Sequence, residues 1–186
     1  MTVHVVSRRR SAAAIEADHP DALVVDVTSR GPEPWVRLSP FFPHGGIPVP
    51  FTPGVTGQSV EGIWQALKVF ATADVDPAKL AVTSMKGLKR TVRTLGPVLG
   101  HRAGLHGDTL LPYVEARRRI YLPTYAWMLT HRAGEVVDQL RRVAGGRDVV
   151  LLDYTTNGDV DDPRSPLSHA ALVRDHLAGR LVTTSA

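Results

Sequence analysis

Between Ser39 and Gly57 the chain carries Pro40, Pro43, Gly45, Gly46, Pro48, Pro50, Pro53, Gly54 and Gly57. Proline offers no N–H to a ladder and fixes its own φ, so this density excludes regular strands or helices from the stretch. The same residues are interleaved with Phe41, Phe42, Ile47, Val49, Phe51 and Val55, too apolar a set for a solvated linker. A stiff, apolar, irregular segment is either a pocket wall or a strap packed over the core for stability. It runs directly into the most regular pattern in the chain.

That pattern spans Gln58 to Phe70 and predicts a helix. The Ser59 hydroxyl can accept from the free N–H groups of the first turn, and Glu61 suits the positive end of the helix dipole. At about 100° per residue, Ile63, Leu67 and Phe70 share one face, with Val60 at its edge. Glu61, Gln65 and Lys68 cluster on another face, and Trp64 lies between the two. Glu61 and Lys68 would then be separated by about 10 Å of helix rise, too far for a tight ion pair. The spacing suits two side chains reaching toward a group held between them. A Glu/Gln/Lys stripe is also what any solvated helix face looks like, and Trp64 is read as core or as a stacking platform.

A length of 186 residues predicts one domain with a substantial core. The hydrophobic and charged fractions, 43% and 22%, belong to an ordinary soluble globular chain. Without cysteine there is no disulfide framework and no thiolate nucleophile or metal ligand. No apolar run approaches membrane-spanning length, and residues 1–6 lack the apolar segment of a signal peptide, so no membrane partner and a cytoplasmic location are expected. A net charge of +4 favours anionic partners, phosphates, nucleotides or nucleic acid, without choosing among them.

Along the chain, Val3–Val6 reads as a short strand, and Ser7 as the cap of a basic, Ala-rich helix over 8–17 closed by Asp18–His19–Pro20. Arg8, Arg9 and Arg10 read as a phosphate site or as solvated charge. Ala22–Val27 predicts a buried strand, 28–34 a loop, and Trp35–Leu38 an edge strand. Asp76 caps, and Pro77 opens, a short helix to about Met85. Leu88, Val92 and Leu95 are spaced to face the core, leaving Lys86, Lys89, Arg90 and Arg93 as the best phosphate-holding group. Residues 105–131 read as helical, with Pro112 in the first turn and a kink or break at Pro123. Tyr113, Tyr121, Tyr125 and Trp127 supply aromatic core there. A helix over 135–143 stops at Gly145–Gly146. Asp148–Tyr154 predicts a central strand leading through a polar loop, 155–164, to a last helix capped by Ser165 or Ser168. A loose tail follows at Thr183–Ala186. The loop's aspartates lack the EF-hand spacing, and no P-loop occurs, so no metal or cofactor is expected.

Taken in order, "LSPFFPHGG", "SVEGIWQALKVF" and "MKGLKRTVRTLG" resemble the NADAR (YbiA-like) superfamily, most strongly over 35–102. Members carry an "LSNF-P" stretch, a helix opening "SEH" and continuing "Q-x-x-K", and then a basic segment. Glu61, Gln65 and Lys68 match that spacing, and Trp64 matches the helix aromatic. Pro40 replaces the family's Asn, and Gly62 its His, marking a divergent branch. The resemblance implies an α+β, helix-dominated single domain over 1–186 with a small YbiA-like β-sheet. It also implies cleavage of an N-ribosyl bond in a phosphorylated riboside or an ADP-ribosylated group. Lys68 would act as Schiff-base nucleophile and Glu61 as acid/base or cation stabiliser. Ser39, Phe41, His44, Trp64, Gln65, Lys89, Arg90 and Arg93 would bind substrate; apart from the resemblance, the order strand, polar loop, helix start makes Asn157, Asp159 and His169 candidate ribose or base contacts. Two rival readings stay open: a non-catalytic nucleotide or nucleic-acid binder, and a structural protein whose interface is Trp35 with the Pro-rich segment.

Overall fold

In the computed structural model, which describes residues 1–181, the chain opens with strand β1 (Val3–Ser7), helix α1 (Ala12–Asp18), strand β2 (Leu23–Asp26) and a 3-10 turn at Trp35–Leu38. Short strands β3 (Ile47–Pro48) and β4 (Thr56–Gly57) precede helix α2 (Val60–Leu67), strand β5 (Lys68–Phe70) and a second 3-10 turn at Pro77–Ala81. Then come α3 (Val92–Leu95), β6 (Val98–Arg102), β7 (Leu110–Leu111), α4 (Tyr113–Ala116), a π-helical turn at Arg117–Tyr121, α5 (Leu122–His131), α6 (Gly134–Ala144), β8 (Val149–Asp153) and α7 (His169–Leu177). The mixture is α+β, as expected, but among the described residues pairing is divided among three small sheets instead of one. Two compact units result: residues 1–39 with 129–181, and residues 40–128. The expected tail at Thr183–Ala186 lies outside the described residues. Among these residues no helix is long and apolar enough to cross a membrane.

In the first unit β1, β8 and β2 form a parallel sheet with β8 in the middle. A strand covered on both faces must be apolar throughout, and Val149, Val150 and Leu151 of β8 are fully buried. The sequence "ALVVDV" also reads as wholly buried, yet β2 is an edge strand with Val24 43% exposed beside a buried Val25. Ile15 of α1 packs with Val6 and Val150. Ser7 belongs to β1, not to a helix cap. The Arg8 N–H continues the ladder to the Asp153 carbonyl, so α1 starts later, capped by the Ser11 hydroxyl accepting from Ala14. Trp35–Leu38 is helical instead of extended, because the Val36 and Arg37 amides donate back to Pro32 and Pro34 carbonyls. Helix α6 ends where Gly145 takes a left-handed φ of 55°, as its sequence predicts.

In the second unit β5, β6 and β7 form an antiparallel sheet, with Lys68 opposite His101 and His101 opposite Leu111. The Pro/Gly stretch is irregular apart from the two-residue ribbon of β3 and β4. Pro77–Ala81 is a 3-10 turn that stops short of Met85, although Asp76 does cap it by accepting from Ala78. Within the basic run Leu88 is buried, but Val92 is 57% exposed, so the expected three-residue apolar face does not form. Residues 105–109 are not helical, and α4 begins only after Pro112. Pro123 is absorbed without breaking the rod. The preceding turn widens so that the Leu122 amide donates to Arg117, and the Thr124 hydroxyl donates to the Ile120 carbonyl at 2.6 Å.

Candidate functional site

Helix α2 is the centre of the second unit, and every one of its residues is buried. A solvated polar stripe is thereby excluded: Glu61 is 8% exposed and Gln65 3%. Its N-terminus is satisfied from two sides. The Ser59 hydroxyl accepts from the Gly62 amide at 3.0 Å, and the Pro40 carbonyl accepts from the Glu61 amide at 2.8 Å. Pro40 thus contributes through its backbone what its ring cannot offer through a side chain. Gly62 has a packing reason. A Cβ there would sit 2.8 Å from the Lys79 carbonyl oxygen of the adjacent 3-10 turn, closer than real contacts allow. Only glycine lets the two backbones approach so closely.

The helix does not reach Phe70. It ends at Leu67, and Lys68 has the extended backbone of a strand residue (φ −72°, ψ 131°). Pairing with β6 takes Lys68 out of the helix, and Arg90 closes the exposed end. The Arg90 guanidinium donates to the carbonyls of Gln65 (3.2 Å), Lys68 (2.6 Å) and Asp74 (2.7 Å). A cation is thereby placed against the negative end of the helix dipole. Glu61 and Lys68 therefore do not stand two turns apart on one rod. They stand at the start of a helix and the start of the strand that follows it.

The polar groups form a chain. Gln65 Nε2 donates to Glu61 Oε1 at 2.8 Å, while Gln65 Oε1 accepts from the Arg90 amide at 3.0 Å, so the side-chain amide is held at both ends. Lys68 is half-buried, with its ammonium 5.9 Å from the centre of the Trp64 ring. Burial lowers its pKa first, Glu61 opposes that, and Lys89 and Arg90 add to it. The net direction is down from the ordinary lysine value.

One member of the cluster was not legible in the sequence. His101 lies opposite Lys68 across the strand pair and is stacked on Trp64 with ring centres 3.6 Å apart. Residues directly opposite on an antiparallel pair share a face, so the imidazole stands beside the lysine side chain. The ring is fully buried, and among the described residues neither nitrogen has a hydrogen-bond partner. Desolvation, then the Lys68 charge, push its pKa down to about 3, which keeps the ring neutral. Leaving such a donor or acceptor unsatisfied costs about 1–3 kcal/mol. The only hint in the sequence was a histidine in an otherwise ordinary Gly/Pro segment.

The remaining expected residues separate. Lys89 is exposed, its ammonium 5.5 Å from the Phe41 ring centre, and Arg93 is exposed on α3. Arg90 differs from both: its side chain is 7% exposed and committed to backbone carbonyls, so the basic run is not one phosphate-holding group. His44 packs on Phe42 at 4.7 Å between ring centres. Tyr121 and Tyr113 approach Trp64 at 5.5 and 6.1 Å. Ser39, Asn157, Asp159 and His169 fall in the first unit. There Ser39 is buried as the residue closing the Trp35–Leu38 turn. Asn157 and Asp159 tie the 155–165 loop together. Asn157 donates to the Asp162 and Ser165 carbonyls, and the Asp159 and Asp161 amides donate to Asn157 and Asp159 side chains. His169 Nδ1 is 3.0 Å from Asp153 Oδ2, and its Nε2 is 2.9 Å from the Val27 carbonyl. Among the described residues no group of three His, Cys, Asp or Glu side chains is placed to hold a metal ion.

Compared with known proteins, the chain matches over residues 7–173 the model of a family described as "Family of unknown function (DUF6939)". No curated protein and no solved structure matches.

Proposed function

We propose that this chain, which belongs to the DUF6939 family, hydrolyses an N-ribosyl bond of a phosphorylated riboside or ADP-ribosylated group, with Lys68 as the nucleophile. The observation that carries the reading is the half-buried Lys68 amine, lowered in basicity and set among buried Glu61, Trp64 and Gln65. The resemblance of these positions to the NADAR pattern supports it.

A free lysine is almost wholly protonated near neutrality, with a pKa of about 10.4, and a protonated amine cannot attack. Desolvation raises the fraction of neutral amine. In the proposed reaction that amine attacks the anomeric carbon, and the electron pair of the C–N bond leaves with the base. The proton lost by the attacking nitrogen passes through the Glu61 carboxylate to the departing base. Opening of the sugar ring gives an imine on Lys68, and water hydrolyses it, releasing the phosphorylated ribose (or ADP-ribose) and the free amine. Glu61 also stabilises the positive charge that develops on the sugar. Gln65, clamped between Glu61 and the Arg90 amide, holds that carboxylate in place. Lys89 and Arg93, two of the exposed cations of the basic run, meet the phosphate; Arg90 holds the scaffold.

A second reading, a non-catalytic nucleotide or nucleic-acid binder, draws support from the same clamp, because Glu61 already accepts from Gln65. Borohydride trapping with ADP-ribose and a panel of N-ribosides separates the two. The parent is expected to gain a ribosyl adduct at Lys68 and to release base. Lys68→Ala should gain none, and Glu61→Gln should bind with turnover about 100-fold slower. Release of base by Lys68→Ala at the parent rate would remove Lys68 as nucleophile. Undiminished binding with no turnover in any form would favour the binder.

A further inference from the structure

We propose that His101 contacts the substrate directly: its imidazole offers one N–H donor and one nitrogen acceptor to the planar leaving group of the riboside held at Trp64, Lys68 and Glu61. The inference rests on the site reading above, since it assumes that those three residues meet one ligand.

Four structural roles normally explain a buried histidine; three do not apply here, and the fourth does not need an imidazole. It is not hydrogen-bonded into the scaffold, since among the described residues both ring nitrogens lack a hydrogen-bond partner. It is not half of an ion pair, because the charged group opposite it is the cation Lys68. It is not in a metal-holding cluster among the described residues. Its stack on Trp64, at 3.6 Å and 30° between planes, would be made as well by phenylalanine, which fills similar space without polar atoms. Buried polar groups that the fold leaves unsatisfied weaken it. What the imidazole has that a phenyl ring lacks is its two nitrogens, and these find no use inside the protein.

The surroundings define the ligand's chemistry. A neutral imidazole both donates and accepts, one function per nitrogen. A nucleobase presents donors and acceptors on the edge of a flat ring, and it needs a donor as its glycosidic nitrogen gains electrons. His101 donates a hydrogen bond to that leaving group without surrendering its proton. The contact requires the flexible Lys68 side chain, which lies opposite His101, to move toward the sugar and open the ring to the ligand.

The test uses the full chain, in two arms. His101→Phe is expected to raise Tm by about 2–4 °C and to slow base release about 100-fold. A variant that is more stable and still releases base within about twofold of the parent overturns the proposal. So does a variant of lower Tm, which would place the nitrogens in the scaffold. The second arm does not depend on turnover. In parent protein carrying 15N-labelled histidine, saturating AMP, which carries a planar base on a phosphorylated ribose, is expected to move the His101 ring nitrogen resonances, and unmoved resonances overturn the contact. If the parent cleaves no riboside yet the resonances move, the glycosidase reading falls and the contact stands.

Discussion

Two buried histidines, one in each unit, are treated in opposite ways by the fold. His169 has both ring nitrogens engaged, Nδ1 with the Asp153 carboxylate and Nε2 with the Val27 carbonyl. Asp153 is in turn bonded by the Ser168 hydroxyl at 2.8 Å and by the Tyr154 and Ala170 amides at 2.7 and 3.3 Å. Burial disfavours charge on both partners, but the pairing outweighs it: His169 is shifted up and Asp153 down. His101 is also buried but has no hydrogen-bond partner among the described residues, and it stays neutral. The first histidine is a clasp joining the ends of β2 and β8 to the start of α7. The second stacks on Trp64, and its nitrogens have no hydrogen-bonding task among the described residues. A polar side chain that the scaffold completes explains the fold, and one that it leaves bare is what the proposed contact rests on.

This contrast is sharpest in acid. Below about pH 6.5 the unfolded chain's imidazole at position 101 takes up a proton that the folded one refuses until about pH 3. Stability therefore falls with pH across that window, by on the order of 4–5 kcal/mol at its lower end. Urea denaturation at several pH values should show the parent losing that much more than His101→Phe between pH 7 and pH 3. Equal losses would break the comparison by showing that the ring is solvated. Removing the clasp comes next in size. Asp153→Ala leaves a buried imidazole without its counter-charge and should cost about 3–5 kcal/mol in the same measurement. The His169 contribution is complete below its unfolded value of 6.5 and fades as pH rises through the raised folded one. The Asp153 contribution is complete above 3.8 and fades as pH falls through its lowered one. The penalty of Asp153→Ala should hence be greatest between about pH 3.8 and 6.5. The smallest effect is expected from Ser168→Ala, about 1–2 kcal/mol. That change removes one bond to Asp153 and the cap on the Ala171 amide. A larger loss would mean that the serine, more than the histidine, holds the clasp.

Local features were legible where neighbours in sequence are also neighbours in space. Ser59 and Ser168 cap the helices expected of them, Gly145 ends α6, and Asp148–Tyr154 contains the central strand. The misreadings share a cause. Periodicity carried α2 through Phe70, yet a guanidinium more than twenty residues downstream and a strand pairing with β6 ended it at Leu67. Arg90 looked like one of four exposed cations, and it is the one turned inward. Asn157 and Asp159 had the composition of a ligand-binding loop, and their side chains close that loop on itself.

By itself, then, the sequence determined the α+β character and the capped start of α2, because caps and short-range spacing act within a turn or two of chain. Only the tertiary structure decided where α2 stops, which basic residue is buried, and that His101 stands bare against Trp64. Those outcomes depend on partners brought together across 22 to 37 residues of intervening chain. No local pattern encodes which of eight histidines the fold will satisfy.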